Sequence, residues 1–311
     1  MDGWHGRGQG YQQELKLKGV DAFSDFYIEM RQPLIENIWV KTMTIKEDIH
    51  IHTSVSSCAE RDATIEKYIE KAKGTQLTTL GFSDHMWDSA VGGASKWYSP
   101  QNVEHVMQTK DELSRCTETY GIKLLFGCET EFTYEGKLCL AEENFELFDY
   151  ILVPHSHTHM GCVMPREYAE DNKRHARFLM DSFMAAVEHP LSSRFTAIVH
   201  PFVPGTRYEI YNDVQSLIPD SYFYEAFAAA REKGIAIEMN GSTLIYMPDE
   251  QIPYCEYVRI YSIAKECGCK FTYGSDSHDF RGERKLGVVE AFLEQCKIGD
   301  ADMLRCDSFG K

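Results

Sequence analysis

Basic residues are scarce in this chain: 32 lysines and arginines stand against 48 aspartates and glutamates, a formal net charge of −16. Wrapping long nucleic acid relies on a basic surface, so that class of function is disfavoured. A small anionic substrate stays compatible, because bound metal ions supply local positive charge. There is no apolar run of membrane-spanning length and no signal peptide, so no membrane partner is expected. Ten cysteines are present but no Cys-x-x-Cys pair, and only Cys267 and Cys269 stand close together. That spacing argues against a zinc finger or knuckle, and the thiols are expected to be reduced, in a cytoplasm. Internal repeats and low-complexity tracts are also missing.

What is present suffices for a large core. The 311 residues are 43% hydrophobic and 26% charged, enough for one large α/β domain or two small ones. Residues 1–42 differ from the rest. Gly3, Gly6, Gly8 and Gly10 loosen the start, and a helix over residues 25–40 would be interrupted at Pro33. This segment reads as an N-terminal extension, either an added arm or upstream sequence from a mis-assigned start, with the catalytic domain over 43–311. From Thr44 onward, strand and helix patterns alternate. Strands are predicted at Ile45–His52, Thr78–Ser83, Lys123–Cys128, Tyr150–Pro154, Thr196–His200, Ala236–Met239 and Lys270–Gly274. Helices are predicted between them: Asp62–Lys73, Asn102–Tyr120, Glu167–Glu188, Tyr222–Lys233, Pro253–Cys267 and Lys285–Gln295. Asp62 reads as an N-cap and Gly74 as a stop. Seven β–α units with mainly apolar strands predict a parallel sheet covered by helices, closed as a distorted (β/α)7 TIM-like barrel. A doubly wound open sheet is the runner-up.

Polar residues gather at the strand ends. His50 and His52 alternate with Ile49 and Ile51, so an extended strand points both imidazoles one way. Later ends read Ser-Asp84-His85, Glu129-Thr-Glu131, His155-Ser-His157-Thr-His159, His200-Pro, Asn240-Gly-Ser242 and Ser-Asp276-Ser-His278. Eight of the twelve histidines fall in these positions. A parallel barrel brings its C-terminal strand ends to one mouth, where such residues converge. Mixed imidazole and carboxylate ligands suit zinc, manganese or iron better than calcium or magnesium. The supply exceeds one tetrahedral site, so two to three divalent metal ions are expected, with Glu129 bridging.

Taken in order, Asp-x-His50-x-His52-Thr, Ser-Asp84-His85, Gly-x-Glu129, His200-Pro and Gly-Ser-Asp276-Ser-His278 resemble the PHP (polymerase and histidinol phosphatase) family over residues 44 to about 290. The resemblance implies a barrel with a trinuclear metal centre that hydrolyses phosphate esters. It assigns His50, His52, Glu129 and Asp276 to the first metal, and His85 and His278 to the second. Glu129 would bridge to a third metal held by His200 and a histidine ending strand four, with His157 ahead of His159 and His155. Where the family often has a further histidine past His-x-His-Thr, this chain has Cys58, which is either a thiolate ligand or an inert thiol.

A metal-bridging hydroxide attacking phosphorus is the expected mechanism. Arg207 and Arg281 are candidates to hold the phosphoryl charge, and Asp84 to orient His85 or a bound water. Asn240 and Ser242 either contact substrate or cap the next segment. The substrate is expected to be a small phosphorylated metabolite cleaved as a monoester, with a nucleotide phosphodiesterase or exonuclease as the alternative. An amidohydrolase barrel is a rival of another class, disfavoured because Tyr150–Met160 holds no lysine to carry bridging metals; a non-catalytic metal-binding regulator is another. Trp87, Trp97 and Tyr98 either line the substrate pocket or pack the first loop.

Overall fold

In the computed structural model the described residues are 45–245, 252, 255–279 and 286–309. The extension over residues 1–42, with its expected broken helix, lies outside them, as does Arg281. Among the described residues there are eight parallel strands: β1 (Glu47–Ile51), β2 (Thr79–Phe82), β3 (His85–Met86), β4 (Lys123–Thr130), β5 (Tyr150–Pro154), β6 (Ala197–Val199), β7 (Ala236–Asn240) and β8 (Phe271–Gly274). Seven of them run in the order β1-β2-β4-β5-β6-β7-β8, while the two-residue β3 continues the β2 edge and pairs with β4. Beyond the end of β8, Asp276 N–H donates to His50 O at 2.8 Å and His52 N–H to Ser277 O at 2.9 Å, so the last strand returns to the first. The result is a nearly closed, seven-stranded distorted barrel of the TIM type, as the alternating pattern predicts.

The helices between the strands are α1 (Ile65–Ala72), α2 (Val103–Arg115), α3 (Asn172–Glu188), α4 (Tyr211–Gln215), α5 (Asp220–Glu232), α6 (Gly241–Ile245), α7 (Glu256–Glu266) and α8 (Leu286–Gln295). None of the helices among the described residues is long and apolar enough to cross a membrane. The N-cap of α1 is Thr64, whose side chain accepts from Lys67 N–H, and not Asp62, which instead pairs with Lys67 Nζ at 2.7 Å. Gly74 ends that turn at φ +101°, a conformation that costs any other residue strain. The expected helix over 167–188 is split: a 3-10 turn spans Arg166–Ala169, and α3 starts afresh behind Asp171, which accepts from Arg174 N–H.

Both faces of the strands are apolar. Tyr150, Leu152, Ala197, Val199 and Ala236 join Ile49 and Leu125 in one cluster. Ile151, Val153, Ile198 and Ile237 join helix residues such as Phe183, Phe227 and Ile260 in a larger one. That is the pattern of strands buried on two sides. β1 departs from simple alternation. Its register against β2 shifts between Asp48 and Ile51, and Ile49 and Ile51 fall into different clusters instead of sharing a face. Such an irregularity re-aims the side chains beside it, and here those are His50 and His52.

Candidate metal centre

His50 and His52 leave the end of β1 with their Nε2 atoms 3.1 Å apart. The hydrogen-bond network assigns both tautomers. His50 Nδ1 lies 2.6 Å from Glu238 Oε1 and must donate to that carboxylate. Ser56 Oγ gives its hydrogen to Asp84 Oδ1, so it accepts from His52 Nδ1, 3.2 Å away. With both imidazoles neutral each Nε2 carries a lone pair, and two such lone pairs facing each other at hydrogen-bond distance suit a shared cation between them. Glu129 Oε2 lies 3.5 Å from both nitrogens, and Asp276 Oδ1 lies 3.7 and 3.3 Å from them. A tetrahedral ion with bonds of about 2.0–2.1 Å would hold its ligand atoms about 3.3 Å apart, which is the spacing seen.

Glu129, near the end of β4, faces two further groups. Its Oε2 lies 2.7 Å from His85 Nδ1. Both atoms are nonetheless buried without a hydrogen bond, as expected of donors that point at a shared ion. Its Oε1 lies 2.9 Å from His200 Nε2 and 3.6 Å from His157 Nε2. Here too the Nδ1 atoms are spoken for: His157 donates to Glu131 Oε1 at 2.6 Å, and His200 to Ser156 Oγ at 2.7 Å. Ser156 itself donates to His200 O at 2.8 Å. Four histidines thus have Nδ1 fixed by a protein acceptor and Nε2 turned to the centre, the arrangement that orients metal-ligating imidazoles. Three groups of atoms have metal-ligand spacing: His50–His52–Glu129, His52–His85–His278 and Glu129–His157–His200.

The charges of the site compensate one another. Against the burial that would lower it, the carboxylates of Glu238, Glu129 and Asp276 hold the His50 pKa well above its usual value. Burial, with His278 and His85 alongside, pushes His52 well below. Glu129 is buried and Asp276 partly so, yet the facing histidines hold both carboxyls far below the usual range. Deprotonated carboxylates beside a histidine pair of opposite tendencies make a centre that exchanges protons for metal.

The strand-end histidines expected as ligands mostly meet here. His278 stacks on His52 with ring centroids 4.1 Å apart. The Cys58 thiol lies beside His85 and His278; its residue is exposed overall, but the sulfur is desolvated, which would raise it, and hydrogen bonds to His278 and His85 bring it down to about 6. Among the three histidines after β5, His157 joins Glu129. His155 is buried against Phe183 and Phe202 and accepts from Phe202 N–H at 2.9 Å, and the His159 ring lies 5.6 Å from that of His157. His200 and Asp276 reach their positions through left-handed backbone, at φ +31° and +52°. Strained conformations of this kind gather at functional sites.

Several other candidates land elsewhere. Asp84 accepts from Thr53 N–H and Ser56 Oγ, both at 2.7 Å, and from the Thr53 and Thr109 hydroxyls at 2.8 and 2.6 Å. Its carboxylate hydrogen bonds go to Thr53, Ser56 and Thr109, so it ties down the loop after β1. Arg207 is exposed and pairs with Glu209 at 3.0 Å, because the 3-10 turn Tyr208–Ile210 carries it away from the histidines. Asn240 caps α6, accepting from Thr243 N–H at 2.9 Å and donating to Glu238 and Asp276. Ser242, Trp97 and Tyr98 line the cavity above the centre, whereas Trp87 is buried and donates to Val91 O at 2.7 Å. Glu238, Glu131, Ser56 and Ser156 were not singled out from the sequence. The available signal was spacing: Glu131 follows Glu129 by two residues, just past the end of β4.

A family model described as the PHP domain matches residues 48–242. Among solved structures, histidinol phosphate phosphatase from Lactococcus lactis subsp. lactis Il1403, complexed with zinc, L-histidinol and phosphate, matches with TM-score 0.56 at 15% identity. The match covers 86% of this chain and 99% of that one. At this identity the likeness establishes the fold. An archaeal ribonuclease P with mature tRNA (TM-score 0.40, 13% identity, 81% of this chain and 91% of that one) is more distant. So is a D-hydantoinase (TM-score 0.36, 13% identity, 80% and 51%). No curated protein sequence matches the chain. Family, fold and histidine–carboxylate clusters together define the class, a metal-dependent phosphoesterase. The chain belongs to the PHP domain family.

Proposed function

We propose that the chain is a phosphomonoesterase for a small phosphorylated metabolite, working with two to three divalent ions of zinc, manganese or iron. The observation that carries this reading is the convergence of four Nε2 lone pairs, from His50, His52, His157 and His200, on the two oxygens of Glu129. The first ion would be held by His50, His52, Glu129 and Asp276, the second by His85, His278 and Cys58, and the third by Glu129, His157 and His200. Such ions, when bound, activate a water as nucleophile and neutralise charge on the phosphoryl oxygens. Glu129 spaces the groups, while Glu238, Ser56, Ser156 and Glu131 hold each imidazole in its tautomer. Ser242, which lines the cavity, would touch the bound ester. With Arg207 turned to solvent, Arg281, outside the described residues, is the candidate side-chain cation. A cytoplasmic setting belongs to the same proposal and rests on the cysteine usage.

The test is elemental analysis combined with assays on an aryl phosphate, an aryl phosphodiester and an amide. Two to three ions per chain are expected, with monoester hydrolysis preferred and reduced more than about 100-fold in His50→Ala, whose lost ligand also lowers the metal content. Full activity in metal-stripped protein would sink the reading. Preferred diester or amide cleavage would move the chain to the nucleotide or amidohydrolase alternative.

A further inference from the structure

The cavity above the histidines has a volume of about 660 Å³. This is the scale of a site that encloses a whole organic ligand, and a phosphoryl group fills only a small part of it. Its walls are aromatic. Trp97 and Tyr98 come from the loop after β3, and Tyr208 and Tyr211 from the 3-10 turn and the start of α4 that follow β6. Trp97 stands edge-on to His85 with centroids 5.5 Å apart, so an aromatic surface begins directly beside the metal ligands. Tyr208 lines the same cavity yet is 50% exposed, an apolar ring face left in water. Met160 and Val203 add aliphatic surface. Among the described lining residues there is no lysine or arginine, and the single carboxylate, Asp276, belongs to the histidine cluster.

We propose that the alcohol half of the substrate is an uncharged aromatic group, held against Trp97 and Tyr208 while its phosphate meets the histidine cluster. The inference rests on the phosphomonoesterase reading and narrows it to monophosphates of aromatic alcohols. Rings stack on such walls face-to-edge or offset, and the burial of their faces drives binding. An ammonium-bearing alcohol of the L-histidinol type, as bound in the Lactococcus enzyme, has no free carboxylate partner on these described walls. A polyol would meet the hydroxyls of Thr206, Tyr208, Ser242 and Thr243 and the ring of His159, while those of Tyr98, Ser156 and Tyr211 are already given to Glu131, His200 O and Gly205 O.

The metal-loaded full chain decides this with benzyl phosphate, glycerol phosphate and histidinol phosphate. Their leaving alcohols are all alkyl alcohols of comparable basicity, so differences in rate report recognition. Benzyl phosphate is expected to have the highest kcat/KM, by about tenfold or more. Tyr208→Ala should narrow that preference through a raised KM for benzyl phosphate, while Tyr208→Phe, which keeps the ring, should preserve it. Equal turnover of the three esters, a preference for histidinol phosphate, or an unchanged preference in Tyr208→Ala overturns the inference and leaves the phosphomonoesterase reading standing. If none of the esters is hydrolysed by protein shown to hold metal, that reading falls and the inference with it.

Discussion

Glu238 is fully buried, and its partners explain how a carboxylate is tolerated there. One oxygen accepts from His50 Nδ1 at 2.6 Å; the other accepts from His200 N–H at 2.8 Å and Asn240 Nδ2 at 3.0 Å. A buried charge without such partners is strongly destabilising. In Glu238→Gln one side of the group becomes an NH2, which accepts nothing: it faces either the His200 and Asn240 donors or His50 Nδ1, and in each case an existing hydrogen bond is lost. Metal affinity is expected to fall by about 10–100-fold, the usual effect of losing the partner that orients a ligand. Equilibrium dialysis against zinc or manganese measures it, and an affinity equal to that of the parent chain would remove Glu238 from the orienting role. His50 and His52 were readable because two histidines flanking one isoleucine announce themselves. Glu238 was not, because its partner lies 188 residues away along the chain.

At the scale of elements, tight packing inside the barrel depends on small residues in β2 and β4. The Tyr150 ring of β5 occupies the space above Gly81 and Gly127, and a Cβ on Gly127 would fall within 2.6 Å of three ring atoms. Gly127→Ala is expected to destabilise the chain by about 1–3 kcal/mol through overpacking. Urea denaturation followed by circular dichroism checks it, and an unchanged midpoint would mean that the ring moves aside at no cost. Alternating patterns and capping residues made the seven strands and most helix positions legible. The start of α1 was misplaced by two residues, since Asp62 and Thr64 are both good caps and only the meeting with Lys67 N–H selects between them. The shift of register in β1 was hidden because the local sequence alternates perfectly; pairing with β2 imposes it.

Stability of the whole molecule carries the imprint of its buried histidines. Burial lowers His155 to about 3, while the same imidazole in the unfolded chain titrates near the ordinary 6.5. Between those values the unfolded state binds the extra proton, so this contribution to stability is complete above about 6.5 and is lost as the pH falls toward 3. Metal-stripped parent protein should therefore lose up to about 1.4 kcal/mol more per pH unit than His155→Gln as the pH falls from 6 to 4. Urea midpoints across that range measure the difference, and identical slopes would show that His155 titrates the same way in both states.

Local order in the chain was enough to determine the barrel, the family and the histidines at its strand ends. Apolar alternation, turn residues and short motifs are properties of neighbours in sequence, and the parallel barrel brings its strand ends together whatever the loops do. Glu129 as the shared carboxylate and His157 as its partner were already expected from the motifs. Tertiary structure alone decided that Glu238, Ser56 and Ser156 hold the imidazoles, that Asp84 ties a loop, and that Arg207 turns away. Each of these depends on distances between atoms that only folding fixes, and a distance of that kind has no trace in the order of residues along one strand.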